Sequence, residues 1–344
     1  MNAQDVQESS ALEPVDHRII HALQLDGRAS FNRIATVLGV SEQTVARRYR
    51  RMRADGIVRV VGMVDPRRLG QTAWTVRIQC RPGTAAKLAD ALARRGDVAW
   101  VSLTAGGAEI ICSVRSPTQE QRDELLLQRV PSTSAVLAIS AHATLHQFLG
   151  MRADDWVGHG PLLTRAQARQ LVPASPTAQR SDVQIEPTDR PLLDTLVRDG
   201  RASYATLAKA TGWSEGRVAR RLSALRTAGA LYLDVDLAAQ LLGFSAMAHL
   251  WLTVAPADLA QVGETIATHP EVGSVSAVTG TANLWAAVVC RDTDDLYRYV
   301  TTRIGAIAAV RELEISPTLR QVKYAGSILD GARLADPTPL PFRS

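Results

Sequence analysis

The 344-residue chain repeats itself. At an offset of 173, residues 16–70 align with residues 189–243 without a gap, with 19 identities in 55 positions. They include Asp26-Gly27-Arg28-Ala29-Ser30 against Asp199-Gly200-Arg201-Ala202-Ser203, and Val45-Ala46-Arg47-Arg48 against Val218-Ala219-Arg220-Arg221. A self-match of this length is the mark of a tandem duplication. The chain is therefore one unit used twice, and a fold assigned to the first half must also serve the second.

Within the unit, Asp26 to Gly56 reads as two short helices joined by a tight turn. Ser30 is a good N-cap, and Ile34, Ala35 and Leu38 form an apolar stripe. Gly39 stands where the turn needs positive φ. Ser41 caps the second helix, whose Val45, Tyr49 and Met52 recur at helical spacing and belong to the core. Its opposite face carries Gln43, Thr44, Arg47, Arg48 and Arg51. A helix from Asp16 to Leu25, with Ile19, Ile20 and Leu23 inward, completes a three-helix helix-turn-helix domain, and residues 57–64 form a strand pair or wing leading out of it.

Residues 41–54 carry five Arg against one Glu, and residues 214–227 carry four against one. Like charges crowded on one helix repel, and a phosphate partner offsets that cost. The expected partner is double-stranded DNA. The DNA-facing candidates are Ser41, Gln43, Thr44, Arg47, Arg48 and Arg51 in the first copy, and Ser214, Arg217, Arg220 and Arg221 in the second. Arg47 and Arg48, matched by Arg220 and Arg221, are expected on phosphates, or one on a base and one on a phosphate. The two helices differ elsewhere: Gln43-Thr44 becomes Gly216-Arg217, and Arg50-Arg51 becomes Ser223-Ala224. Arg suits guanine and Gln suits adenine, so the expected operator is an imperfect palindrome with unlike half-sites. Gly216 lowers the helical propensity of the second helix by about 1 kcal/mol relative to Ala.

From Thr72 the pattern changes to alternation and short apolar runs, which read as strands. Strands are expected at 72–80, 98–104, 109–114 and 136–145, with helices at 83–95 and 118–129. The second copy repeats this with strands at 246–254, 272–279, 283–289 and 310–322, and helices at 259–268 and 292–304. The order is βαββαβ, a ferredoxin-like arrangement. The fold class is α+β: a winged or three-helix HTH domain followed by a ferredoxin-like βαββαβ domain, the pair repeated twice. The expected division is HTH 1–64, βαββαβ 65–147, linker 148–187 with a short helix at 163–171, HTH 188–238, βαββαβ 239–325, and a loosely ordered tail at 326–344.

Such a sheet has one face bare of helices that must be covered. An identical copy on a linker of about forty residues is present at high effective concentration. The reading is a covalent pseudo-dimer, with pairing of like copies from two chains as the rival arrangement.

Cys80, Cys112 and Cys290 lie in apolar runs without CxxC spacing, which indicates reduced, buried thiols. His142 and His146 lie four strand steps apart, about 13 Å, too far for one metal ion. There is no GxSxG, no HExxH and no Gly-Lys-Ser/Thr phosphate loop. No catalytic residue, metal ligand or cofactor is expected. With no signal peptide and no apolar run of about 20 residues, the expected setting is the cytoplasm, with no membrane partner.

These features together resemble the Lrp/AsnC family of transcription regulators over residues 16–146 and 189–323. The residues that carry the resemblance are Asp26-Gly27-Arg28, Leu38-Gly39-Val40-Ser41, Val45-Ala46-Arg47-Arg48, Asp55-Gly56-Ile57 and Asp65-Pro66-Arg67-Arg68-Leu69-Gly70. The resemblance implies sequence-specific DNA binding and a small-molecule effector, commonly an amino acid, bound between βαββαβ domains. It also implies homo-oligomers, here built from pseudo-dimeric chains. Effectors in the family bind near the turn between the second and third strands, which usually ends in Gly-x-x-Asp. That places the effector-binding candidates at Gly106, Glu109, Thr279, Gly280 and Asn283. Glu109 and Asn283 occupy the Asp position, so the two pockets are expected to differ, and an effector other than an amino acid fits that departure. The same architecture is similar to tetrapyrrole enzymes of the siroheme decarboxylase type. Their Trp-Pro-Tyr-Asn-like stretch is replaced here by Thr281-Ala282-Asn283-Leu284-Trp285. An architectural DNA-bending protein without effector is a third reading.

Overall fold

The computed structural model describes residues 12–65, 72–115, 118–150, 162–172 and 183–335. The first copy runs α1 (Pro14–Leu25), α2 (Phe31–Leu38), α3 (Glu42–Ala54), β1 (Val58–Val64), β2 (Trp74–Cys80), α4 (Ala85–Ala93), β3 (Val98–Thr104), β4 (Glu109–Val114), α5 (Gln119–Asp123) and β5 (Val136–Leu149). A single helix, α6 (Arg165–Leu171), stands in the intervening segment. The second copy runs α7 (Arg190–Arg198), α8 (Tyr204–Thr211), α9 (Glu215–Thr227), β6 (Leu231–Leu237), β7 (Ala246–Val254), α10 (Leu259–Ala267), β8 (Val272–Val278), β9 (Leu284–Cys290), α11 (Thr293–Arg298) and β10 (Val310–Pro317). Three two-residue strands follow: β11 (Arg320–Gln321), β12 (Leu329–Asp330) and β13 (Arg333–Leu334). Both α5 and α11 continue as wide π-type turns, Glu124–Arg129 and Tyr299–Ile304.

The helix boundaries follow from their caps. Ser30, Ser41, Ser203 and Ser214 each accept the backbone N–H three residues on, which satisfies one of the orphan donors of a helix start. Gly39 and Gly212 close α2 and α8 at φ 70° and 71°, where a Cβ would be strained.

The wing belongs to neither copy alone. β1 pairs antiparallel with β6, from Val58↔Leu237 to Val64↔Leu231. Leu233, Val235 and Leu237 of the second copy complete the core of the first HTH unit, and Val64 of the first copy enters the core of the second. α6 also covers the first unit, with Leu163 and Leu171 buried in its core. Arg33 Nε donates to the Gln170 carbonyl at 2.7 Å and Gln167 Nε2 to the Val37 carbonyl at 2.9 Å.

The two βαββαβ units form one nine-stranded sheet in the order β10-β7-β9-β8-β5-β2-β4-β3-β11. β5 pairs with β2 of its own copy as far as Ala143 and with β8 of the other copy from Thr144 to Leu149. It therefore runs past the expected end at residue 145. The strand expected at 310–322 is broken instead. It stays on β7 to Pro317, then crosses and pairs with β3 as β11. The hand-over is made by Thr318 N donating to the Met247 carbonyl and Leu319 N to the Leu103 carbonyl, both at 2.8 Å. Because β10 and β11 are the two ends of the sheet, that crossing closes it on itself. The helix-bearing faces pack on α4–α5 and α10–α11, and the bare faces turn towards each other.

The tail is not loose at its start. Ser327 is fully buried, β12 and β13 form a hairpin, and Leu334 N donates to the Gly56 carbonyl at the end of α3. Asp236 on β6, 1% exposed, accepts the N–H groups of Ala325, Gly326 and Ser327. That buried carboxylate is the reason residues 325–327 are fixed. In the Asp65–Gly70 motif, residues 66–70 lie outside the described residues.

Candidate DNA interface and effector pockets

The Asp-Gly-Arg-Ala-Ser repeat is where the two HTH units hold each other. Arg28 donates to the carbonyls of Gly200 (2.8 Å) and Ala202 (2.9 Å), and Arg201 returns the pattern to Gly27 (2.6 Å) and Ala29 (2.9 Å). Arg28 lies over the Tyr204 ring and Arg201 over Phe31, at 5.3 and 4.5 Å from the centroids. A second reciprocal pair, Arg53–Asp199 at 2.8 Å and Arg226–Asp26 at 3.0 Å, flanks them. Burial lowers the pKa of both Arg28 and Arg201, and the carbonyl and ring contacts supply what water would have given. The result is a local two-fold clasp inside one chain.

Each clasp partner presents one recognition helix, α3 or α9. On α3, Gln43, Arg47 and Arg50 are exposed, and on α9, Gly216, Arg217 and Arg220. Arg217 is held over the Trp213 ring at 4.2 Å. Ser41 and Ser214 act as N-caps, and Thr44 Oγ1 lies 2.8 Å from Ser41 Oγ.

Arg48 and Arg221 are turned away from this face. Arg48 bonds Glu13 at 2.7 Å and the fully buried Asp16 at 3.2 Å, while Arg221 bonds the fully buried Asp189 at 2.5 Å. Bonds to Glu13 and Asp16 raise the pKa of Arg48, and the bond to Asp189 raises that of Arg221. Arg51 also reaches Asp16, at 2.7 Å. Arg48 and Arg221, expected on the DNA, are each paired with a buried carboxylate in the structure, and that pair joins the recognition helix to the first helix of its unit. A carboxylate 32 residues upstream commands the guanidinium in both copies.

The effector candidates separate into two unlike settings. Glu109 is buried, accepts from Thr104 Oγ1 at 2.8 Å and pairs with Arg77 Nε at 2.8 Å. Arg77 also pairs with Glu314 on β10 and lies over Trp251 of β7, 4.8 Å from the centroid. Burial opposes its charge, but the bonds to Glu314 and Glu109 outweigh that and raise its pKa. Arg77, Gln79, Glu109, His142, Trp251 and Glu314 line an open recess of about 410 Å³. Gly106 stands exposed at the turn beside it, at φ 65°.

In the second copy the corresponding turn is covered by β5. His142 Nδ1 lies 2.7 Å from the Thr279 carbonyl, Ala143 N donates to Thr279 Oγ1, and a Cβ on Gly280 would meet His142 at 2.6 Å. The Asn283 amide both accepts from Val254 N and donates to its carbonyl. Asn283 thus bonds backbone at the end of β7, where Glu109 bonds the side chains of Arg77 and Thr104. A separate cavity of about 180 Å³ lies between the bare sheet faces and reaches β6. Among the described residues no group of His, Cys, Asp or Glu could hold a metal ion, and none of the described helices is long and apolar enough to cross a membrane.

Comparison with known proteins gives this geometry its context. The AsnC-type helix-turn-helix domain matches residues 12–53 and again 186–226, and the Lrp/AsnC ligand binding domain matches residues 247–328. An HTH-type transcriptional regulator of Pyrococcus furiosus is 30% identical over 121 residues, 35% of this chain and 82% of the relative. Another, from Pyrococcus abyssi, is 30% identical over 150 residues, 43% of this chain and 94% of the relative. The chain belongs to the Lrp/AsnC family. Less than half of the chain covers 82% and 94% of these two relatives, as one copy of the duplication would do. The siroheme decarboxylase NirDL, solved with an iron-uroporphyrin III analogue, is similar over 91% of this chain and 93% of its own, with a TM-score of 0.59 and 15% identity. That likeness is one of fold.

Sequence reasoning left out three residues that the structure places beside the candidates. Arg50 is exposed on α3 with Gln43 and Arg47, and its signal was its place on the polar face of that helix. Arg77 and Glu314 complete the recess around Glu109, and the signal for Arg77 was a charge inside an otherwise uncharged strand.

Proposed function

We propose that this chain binds DNA as a single-chain pseudo-dimer and that Glu109 marks its effector recess. The two exposed basic helices, held by the reciprocal Arg28 and Arg201 clasp, carry the reading. Gln43, Thr44, Arg47 and Arg50 then face one half-site and Arg217 and Arg220 the other, so the operator is asymmetric. Phosphate contacts from Arg47 and Arg220 make affinity fall with salt, by a slope of roughly −0.9 per phosphate neutralised.

A regulator is favoured over a tetrapyrrole decarboxylase by the two exposed basic helices, and the inner cavity is small for a tetrapyrrole. Drug-sized ligands occupy sites of roughly 300–1,000 Å³, and a tetrapyrrole lies towards the upper end, while this cavity is about 180 Å³. The test is binding of the purified chain to genomic fragments at two salt concentrations, then footprinting of the best fragment. A protected, asymmetric, salt-sensitive site is expected. No specific binding at low salt, together with a tetrapyrrole absorption shift, would replace this reading by the enzyme.

A further inference from the structure

The cavity between the bare sheet faces exists because small side chains stand where a sandwich core normally carries large ones. Ser102 and Ser113 line it from the first copy, and Ser274, Ser276 and Ala287 from the second. Arg115, Asp234 and Asp236 also line it, and three nitrogens of the lining are buried without a hydrogen-bond partner: Arg115 Nε on one side and two ring nitrogens on the other. His249 Nδ1 and Trp285 Nε1 are both buried without a hydrogen-bond partner, and the two rings stack at 5.8 Å with an interplanar angle of 22°. His249 is 7% exposed. Burial and the charge of Arg77 push its pKa down to about 4, so the ring is neutral at physiological pH. Buried donors in native structures are nearly always satisfied, and a space of this size accepts a single aromatic ring.

We propose that this cavity is a ligand site for a small, neutral, planar ring compound bearing a hydroxyl or carbonyl, bound with its oxygen at the His249–Trp285 pair. The Trp285 indole is a donor only, so the ligand must offer an acceptor there. A hydroxyl can in addition donate to His249 Nδ1. A carboxylate is disfavoured, since the pair is neutral and the Arg115 guanidinium of the lining is already faced by Asp234 and Asp236 of the same cavity. The far wall of the same cavity is formed by Asp234, Val235, Asp236 and Leu237 of β6, the strand that joins the HTH pair. Occupancy therefore bears directly on the ribbon between the recognition helices. This regulatory meaning rests on the reading of the chain as a DNA-binding regulator, whereas the site itself does not.

The experiment titrates the full chain with phenol, benzamide and sodium benzoate by ligand-observed NMR, and measures DNA-fragment affinity separately. Phenol and benzamide are expected to bind at one site per chain, and benzoate to bind at least about tenfold more weakly. His249→Phe is expected to remove roughly tenfold of the preference for phenol over toluene. Ser276→Leu and Ala287→Leu each fill the cavity and are expected to abolish binding, with circular dichroism checking that the variant folds. If neither phenol nor benzamide binds, or if binding survives both filling variants, the site is overturned, whatever the DNA affinity. If the ring compounds bind at the cavity while no DNA fragment does, the site stands and the regulator reading fails.

Discussion

Arg48 and Arg221 occupy equivalent places in the repeat and carry unequal loads. Asp16 is bonded by both Arg48 and Arg51, but the position of Arg51 is Ala224 in the second copy, so Asp189 depends on Arg221 and the Glu186 N–H. Removing one partner of a buried ion pair strands the other charge, at a cost of about 3–5 kcal/mol. Arg221→Ala is therefore expected to lose about 3 kcal/mol of stability, and Arg48→Ala about 1 kcal/mol, because Arg51 remains. Urea unfolding checks this, and equal losses in the two variants would contradict it. Helical spacing did reveal which residues of α3 are core: Val45, Tyr49 and Met52 are all buried. It could not reveal that an arginine on the polar face is claimed from 32 residues away, because spacing within a helix carries no information about a carboxylate on another one.

At the scale of elements, alternation and short apolar runs located the main strands of both βαββαβ units, since strands covered on both faces read as apolar runs and those with one exposed face alternate. They failed where a strand changes neighbours. Alternation continues through residues 310–322, and the break was announced by Pro317, which lacks the N–H that an interior ladder needs. The hairpin beyond it was hidden for a different reason. Its anchor, Asp236, lies 89 residues before Ala325 and is an ordinary acidic residue in a strand until the fold buries it. Burial raises the pKa of Asp236, with the N–H bonds of Ser327, Gly326 and Ala325 pulling the other way. Asp236→Ala would leave those three donors unpaired, at a cost of about 3 kcal/mol. Amide exchange at residues 325–327 is expected to accelerate sharply in that variant while exchange in β7 and β9 is unchanged. Unaltered protection at 325–327 would show that something else holds the hairpin.

For the whole molecule, the duplication foretold a pseudo-dimer, and the chain goes further than packing one copy on another. The wing, the cores of both HTH units and the last strand of each sheet are all shared between copies. The clasp can be tested at this scale. Arg28→Ala combined with Arg201→Ala removes four hydrogen bonds across the local dyad and is expected to weaken operator binding by about tenfold or more, with the salt slope unchanged. Arg47→Ala, by contrast, is expected to reduce the slope by about 1. Band-shift titrations over a salt series separate the two, and a changed slope in the clasp variant would place Arg28 or Arg201 on the DNA instead. The shared strands have one more consequence, which concerns dosage. Two-headed regulators assembled from separate subunits fall apart on dilution, so their hold on an operator varies steeply with copy number. Here both heads belong to one polypeptide and share strands, so dilution does not separate one head from the other.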